Sequence, residues 1–579
     1  MKSRTERDGE LPAWMAIAGA AIVAAACGGD KSGTATATFT VEQLQDPATC
    51  NKCHQTHYKE WSGSMHAYAS KDPVFRAMDA RGQRETASDP AGPLGGFCVK
   101  CHAPMAYLKD PNTVGADLDT LPDSMQGITC YFCHQVKEVT DTHNNPLVLA
   151  NDTTMRGEYT DPVANKAHQS TYSELHDADG YYTTSGNGLT SSKLCGSCHD
   201  IVVPAHFSGA TQDVALERTY TEWQGSIFDQ TGKLNSPNAC GSVGCHTRPT
   251  NFTTNYDGVP IADATQTPGV KTRAYLHPHG FPGIDVALTD FPERDAQRKG
   301  VQTMLNTSLL TRLCVNTNGE ISITVENASV GHNIPSGASQ DRRMWLDVRG
   351  YKGDKEVFAT GKVPPGHSPT ELLDPSSPLY DKNFSLSCTD SANVTVKCDL
   401  LRDTPVDKNG NPVHMFWQAA AVPVTNRQTM AVPVTADRTD PRYHMVGDYV
   451  GWLYRGGQGS LDRVTLTLHI QAMGIDVLQD LVKSGDLKAS SLLGGVDVPD
   501  AGVPGAALLD AGSDPSALAF ENAMPGLDIT PNSATNDAGI VASDAVTVDW
   551  NPDTVAKVGQ SSSLDGFPAQ CVQSAKTPL

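Results

Sequence analysis

The sequence predicts a chain of two unlike halves: a mostly α region with little regular structure over 47–300, then an all-β, sandwich-like region over 301–487. Three observations carry that division. Cysteine pairs followed at once by histidine recur through the first half and then stop. The second half instead shows short apolar or alternating runs punctuated by Pro, Gly and Asp. With 39% hydrophobic and 6% aromatic residues over 579 positions, side chains are modest material for two or three cores. Part of the interior is therefore expected to be filled by something else.

The N-terminus reads as a targeting segment. "MKSRTERDGELP" precedes an apolar stretch, Trp14 to Ala26, of the length a secretory signal needs. Ala24, Ala25 and Ala26 before Cys27 look like a bacterial lipobox, which makes 1–26 a signal peptide, Cys27 the acylated residue and 27–46 a linker. The leader departs from the usual pattern in one way: Lys2, Arg4 and Arg7 are balanced by Glu6, Asp8 and Glu10. Ordinary cleavage and a short uncleaved anchor are the alternatives. All three imply export to the periplasm or cell surface, most simply as an outer-membrane lipoprotein that touches the membrane by its lipid alone. No run of eighteen apolar residues is present to span a bilayer. A net charge of −21 excludes a nucleic-acid partner and suits a cationic one.

The chain has fifteen cysteines, and they sort cleanly. Cys27 is the lipid candidate. Four C-x-x-C-H motifs follow: Cys50, Cys53 and His54; Cys98, Cys101 and His102; Cys130, Cys133 and His134; Cys195, Cys198 and His199. A fifth, "CGSVGCH", carries Cys240, Cys245 and His246 with two extra residues inside, and Gly241 and Gly244 give it the permissive backbone to bulge. C-x-x-C-H is the attachment site of haem c: two thiols tether the porphyrin and the adjacent histidine reaches the iron. A zinc ribbon needs no histidine after every second cysteine, and a thioredoxin-like pair occurs once. Five haems are expected, four by the strict motif and one by its variant; the alternative at the variant is a Cys240–Cys245 disulfide.

"YKEWSGSMHA" (58–67) and "YTEWQGSIFD" (220–229) form an internal repeat. Each copy lies between one motif and the next, and Trp61 and Trp223 are expected to pack near a macrocycle. The first copy carries His66 where the second has Phe228, a position that could mark an iron lacking a second ligand. His66 is the first candidate for a second imidazole. A helix rising about 1.5 Å per residue would put it roughly 18 Å from His54, against about 4 Å across one iron, so it should cross to a different haem.

The elements "CNKCH…EWSGSMHA", "FCVKCHAP", "GITCYFCHQV", "KAHQSTYSEL", "LCGSCHDIV" and "EWQGSIF…CGSVGCH" resemble the multihaem cytochromes of the hydroxylamine-oxidoreductase superfamily, which includes small tetrahaem electron carriers. "HPHGFPGID" and "GHNIPSG" are similar to further elements of that family, and together these stretches span about half the chain. The resemblance implies distal iron ligands at His66, His168, His279 and His332. His57, His143, His176, His206 and His277 stand in reserve, and one haem stays without an assigned partner.

In 301–487, "ISITVEN", "MWLDVRGY", "EVFATGKV", "NVTVKC", "MFWQAAAVPVT", "MAVPVTA" and "RVTLTLHIQAM" read as strands, and "IDVLQDLVKSG" (475–485) as a short amphipathic helix capping them. Cys388 and Cys398 flank "TDSANVTVK" as a hairpin-type disulfide would, which leaves Cys314 and Cys571 to tie the tail back; three pairings exist and the sequence does not choose. Residues 488–579, rich in Ala, Asp, Gly, Ser and Pro, read as loops or a tail.

The expected function is electron transfer by an exported multihaem c-type cytochrome, with other redox proteins or a membrane electron-transfer complex as partners. An enzyme is the alternative, acting on a small nitrogen compound at an iron with an open position. No C-x-x-C-K occurs, so the lysine-ligated haem of pentahaem nitrite reductases is absent.

Overall fold

The computed structural model describes residues 39–492 apart from 90–91, 160–166, 181–187, 206, 208–212, 230–237, 249–258, 264, 266–269, 306, 317–320, 328, 353–354, 365–366, 382–385, 390–394, 398–399, 410–412, 414, 420–424, 435–450 and 455–462, and beyond 492 only the strands Leu527–Ile529, Val546–Asp549 and Ala569–Gln573. The leader and Cys27 lie outside the described residues, as do His206, Cys398 and most of 488–579.

Residues 39–305 fold as short helices joined by tight turns. Most of the helices that bear or flank the motifs start on a side-chain cap: Thr40, Asp46, Ser64, Asp72 and Thr129 each accept a backbone N–H from the first turn. Pro47, Pro73 and Pro104 sit in first turns, where no donor is lost. Among the described helices Pro73–Thr86 is the longest, with Val74, Phe75, Ala77 and Gly82 buried. Between the helices lie small two-stranded ribbons, among them Val136–Val139 with Leu147–Leu149 and the parallel pair Thr154–Gly157 with Gln169–Tyr172.

From Leu310 onward the chain is mainly strands. One six-stranded sheet runs Thr395–Lys397, Leu386–Thr389, Gly451–Tyr454, Ile321–Glu326, Leu310–Asn316, Ala569–Gln573. The second is centred on Arg343–Lys352 and Arg463–Gln471, paired antiparallel with Met344 opposite Ile470, Leu346 opposite Leu468 and Val348 opposite Leu466. All six of those side chains are buried, as period-two alternation requires. Neither sheet closes into a barrel.

Three expectations about these elements change. The described start of "MFWQAAAVPVT" forms a short helix, Phe416–Ala419, where Trp417 is drawn onto helix Pro73–Thr86: its indole donates to Glu85 Oε2 at 2.7 Å and its ring faces Gly82; 420–424 lie outside the described residues. "MAVPVTA" makes only isolated bridges, Ala431 to Ile334 and Pro433 to Asn327, since Pro433 has no N–H to continue a ladder. Helix Ile475–Lys483 packs on the first half of the chain. Ile475, Leu478 and Leu481, three residues apart on one face, join Val74 and Ala77 of helix Pro73–Thr86 in a single cluster. Arg81 to Asp480 at 2.6 Å and Arg84 to Asp486 close the rim.

Candidate functional site

In a helical turn, residues i, i+3 and i+4 share one face, so C-x-x-C-H points two thiols and an imidazole the same way. The third motif lies within helix Cys130–Gln135, capped by Thr129. In the first, second and fourth, the histidine N–H bonds to the carbonyl of the first cysteine: His54 to Cys50 at 2.8 Å, His102 to Cys98 at 3.1 Å, His199 to Cys195 at 3.0 Å. The fifth closes the same bond over two more residues, His246 N to Cys240 O at 3.1 Å, with Cys245 N on Ser242 O inside it. The variant is thus a bulged form of the same turn. Its cysteines are free thiols.

Nine of the ten motif cysteines are free thiols. Cys53 is in a disulfide whose other half lies outside the described side chains. A thioether at Cys53 requires that sulfur to be reduced first. Thiols of sequence-distant motifs meet. They lie close enough for one to shift the other: Cys130 pushes the Cys50 thiol down, Cys198 pushes Cys101 up, and Cys195 pushes Cys240 up.

The histidines pair across the same motifs. His54 faces His168, His134 faces His279, His199 faces His66, and His246 faces His332; in each pair the ring centroids are 6.3 Å apart. With metal–nitrogen bonds of about 2 Å and about 1.15 Å from an imidazole's centre to its nitrogen, two rings sharing an iron have centroids about 6.3 Å apart. All four pairs match that span, and the distant member of each is one of the four histidines the family resemblance implied as distal ligands. His66 crosses to the fourth motif because its helix, Met65–Tyr68, is broken from Gln55–Ser62 at Gly63 and Ser64.

Second contacts fix the tautomers. Nδ1 of His54, His102, His134 and His246 lies 2.5–3.0 Å from the carbonyls of Ile261, Ala69, Arg156 and Pro282. Nδ1 of His168, His279 and His332 lies 2.8 Å from those of Gln169, His277 and Asn333. A carbonyl only accepts, so each Nδ1 carries the proton and each Nε2 keeps a lone pair for a metal. Desolvation holds these rings neutral: His54 is pushed down to about 4, also by His168 and His57, His66 to about 3, also by His199, and His332 to about 4. His199 is also lowered to about 4, first by desolvation and then by His246. Phe281 bridges two pairs, 4.9 Å from His66 and 5.4 Å from His279.

His102 differs. Its ring is stacked flat on Phe75, 4.2 Å away and 4° from parallel, a contact through the imidazole face that leaves the Nε2 direction untouched. Among the described residues no second imidazole faces it. Among the described residues the motif without a facing imidazole is therefore the second, and Phe228 does not mark it; that ring packs beside Gly331, next to His332. Nor do Trp61 and Trp223 act only by packing: each indole N–H donates to a backbone carbonyl, of Ile128 at 2.7 Å and Asn238 at 3.0 Å.

The reserve histidines resolve as well. His176 spends both nitrogens, on Ser173 Oγ and Cys133 O. His57 sits edge-on to His279 at 4.6 Å, and His143 bonds Thr142. His277 lies 3.3 Å from Asp179 and 3.5 Å from Glu158, with Nδ1 on Thr247 Oγ1 at 2.7 Å; burial lowers its basicity, but Asp179 and Glu158 raise it overall. Glu158, Asp179, Glu60 and Glu222 were not singled out from sequence, since nothing but their tertiary partners distinguishes them from other acidic residues. The repeated Glu-Trp dipeptide was the one available signal.

Residues 49–135, which contain the first three motifs, match the family described as cytochrome c554 and c-prime. No curated protein sequence matches the chain. Among solved structures the chain is similar to a penta-heme cytochrome c552 from Thermochromatium tepidum, at 16% identity and a TM-score of 0.46, over 78% of this chain and 97% of that one. That likeness is too distant to carry an argument about fold or haem number. The family match across three motifs, together with the paired imidazoles, supports a multihaem c-type cytochrome.

Proposed function

We propose that this chain is an exported electron carrier holding five haems c, four of them between two histidines. The observation that carries the reading is the set of four imidazole pairs at one centroid spacing, 6.3 Å, each joining a motif histidine to a distant one. A haem c at each motif supplies a reversible one-electron iron couple. The chain's own residues tether, orient and shield: thiols anchor, His54, His102, His134, His199 and His246 are proximal ligands, and His168, His279, His66 and His332 are distal ones. Backbone carbonyls hold the rings in the ligating tautomer. Two axial imidazoles fill an iron's coordination, which suits electron passage and not substrate binding.

Contacts between motifs support a continuous path. Between motifs one and three, two and four, and four and five, one thiol shifts the other's titration, and Phe281 lies between the distal histidines of three and four. The acidic charge of −21 favours a redox partner with a basic docking face. Kinship with the hydroxylamine-oxidoreductase superfamily, the lipid anchor at Cys27 and the sandwich character of 301–487 belong to the same reading. In the first sheet Cys571 stands directly opposite Cys314, a separation that suits a disulfide. Cys388 lies opposite Val396, two residues short of Cys398.

A pyridine haemochrome count with intact mass tests the proposal. Five haems and an acylated Cys27 are expected; a colourless exported protein refutes it. His102 favours a second reading, because no second imidazole faces it among the described residues. If that site binds substrate, the oxidised protein has one high-spin haem that takes cyanide or nitrite; a wholly low-spin spectrum without ligand binding removes the enzyme reading.

A further inference from the structure

The two sequence repeats do the same job at two different haems. In each, a Glu–Trp dipeptide sits on one short helix, Gln55–Ser62 or Thr219–Gly225. Each indole N–H donates to the carbonyl two residues before a motif: Ile128 before Cys130, and Asn238 before Cys240. Each preceding carboxylate accepts a backbone N–H at a distal histidine. Glu60 Oε2 takes the N–H of His279 at 2.9 Å. Glu222 Oε2 takes that of Asn333, beside His332, at 3.1 Å, and also Ser336 Oγ at 2.6 Å, while its Oε1 takes Asn333 Nδ2 at 2.8 Å. The helix ends match too: Ser64 Oγ and Ser226 Oγ each donate to the tryptophan carbonyl at 2.7 Å.

His134 with His279, and His246 with His332, are the two facing pairs at 6.3 Å and near-parallel planes, 19° and 11°. Resting on the electron-carrier reading, we propose that each Glu–Trp dipeptide is a bracket that sets one haem's distal histidine against its proximal one: Glu60–Trp61 for His279 and His134, Glu222–Trp223 for His332 and His246. The physical need is clear. Thioethers fix the proximal side, but the distal ligand arrives 145 residues later in one case (279 − 134) and 86 in the other (332 − 246). Successive residues on a helix point about 100° apart, so adjacent side chains on one turn reach both sides at once. The carboxylates hold the backbone and touch no ligand ring; they are positioning residues.

The test is a cyanide titration of oxidised Glu60→Ala, Glu222→Ala, Glu60→Gln and Trp223→Phe, each with its haem count. Losing a charge-assisted hydrogen bond should loosen the distal imidazole roughly 10- to 100-fold. The alanine variants should therefore bind cyanide at one further haem with affinity raised by that factor. Glu60→Gln keeps an acceptor and should behave as the parent. In a His279→Ala background, Glu60→Ala should add nothing. Alanine variants with full haem content and the parent's titration overturn the bracket, as does an equal effect of Glu60→Ala with and without His279. Two independent copies guard against one variant failing to fold. Parent protein that carries no haem, or no low-spin haem, refutes the underlying reading instead.

Discussion

Replacing His66 by alanine is expected to change one iron and leave the tethers of all others intact. His66 faces His199 with centroids 6.3 Å apart and planes 49° apart, whereas the other pairs lie at 31°, 19° and 11°. On the proposed ligation the four pairs contribute one low-spin centre each, so the variant should lose one quarter of the paired low-spin signal and gain one high-spin centre. Which signal disappears is also set by the structure. Axial imidazoles that lie parallel split the iron dxz and dyz orbitals most, and crossing the planes reduces that splitting and raises the largest g value. The resonance lost should be the one with the highest g of the four. Added imidazole should restore low spin, since the ring's position is bounded by Phe281 at 4.9 Å and not filled by it. Quantitative electron paramagnetic resonance on the oxidised protein, normalised to haem content, reads all three quantities. An unchanged low-spin integral, or loss of a signal from the parallel end of the set, would refute the ligand assignment.

Gly196 stands inside the fourth motif, where a Cβ would lie 2.2 Å from Cγ of Tyr220. Helix propensity alone makes Gly196→Ala a gain of about 1 kcal/mol, but overpacking against a ring typically costs about 1–3 kcal/mol, so a lowered melting temperature is expected and a raised one would contradict the packing. Arg343 holds Asp476 through two hydrogen bonds, of 3.1 and 2.7 Å. Burial by itself would raise that carboxyl, but the Arg343 charge and its bonds outweigh it and leave the group lowered. Its folded value being below the unfolded one, the stabilisation is present above the ordinary carboxylate range near pH 3.9 and is lost as pH falls through the folded value. Asp476→Asn should therefore cost about 2 kcal/mol at pH 7 and progressively less in acid; a penalty constant with pH denies the ion pair. His176→Ala should lower stability by about 1 kcal/mol and leave the low-spin integral as it was, because both its nitrogens are spent on Ser173 and Cys133. A new high-spin signal there would make it a ligand after all.

The motifs were legible in the sequence because their chemistry is local. Two thiols and an imidazole reach one rigid ring only if i, i+3 and i+4 fall on one face, and that constraint is written in consecutive letters. The strands Arg343–Lys352 and Arg463–Gln471 were legible for a similar reason, since a buried sheet face imposes period two on the residues themselves. Segments whose outcome depended on a distant neighbour were not. Phe416–Ala419 became a helix where Trp417 found Glu85, and the 475–483 helix packed on Val74 and Ala77 as well as holding the start of strand Arg343–Lys352 through Asp476.

By itself, then, the sequence determined the five cysteine–histidine motifs and the cofactor they are built to hold, because covalent attachment and proximal ligation are spelled out within seven residues or fewer. Only the tertiary structure decided which histidine stands opposite which motif, that the second motif has no imidazole partner among the described residues, and that Glu60 and Glu222 reach the backbone at His279 and Asn333. Distal ligation joins residues far apart along the chain, and a single sequence carries no record of which of its distant parts will be packed against each other.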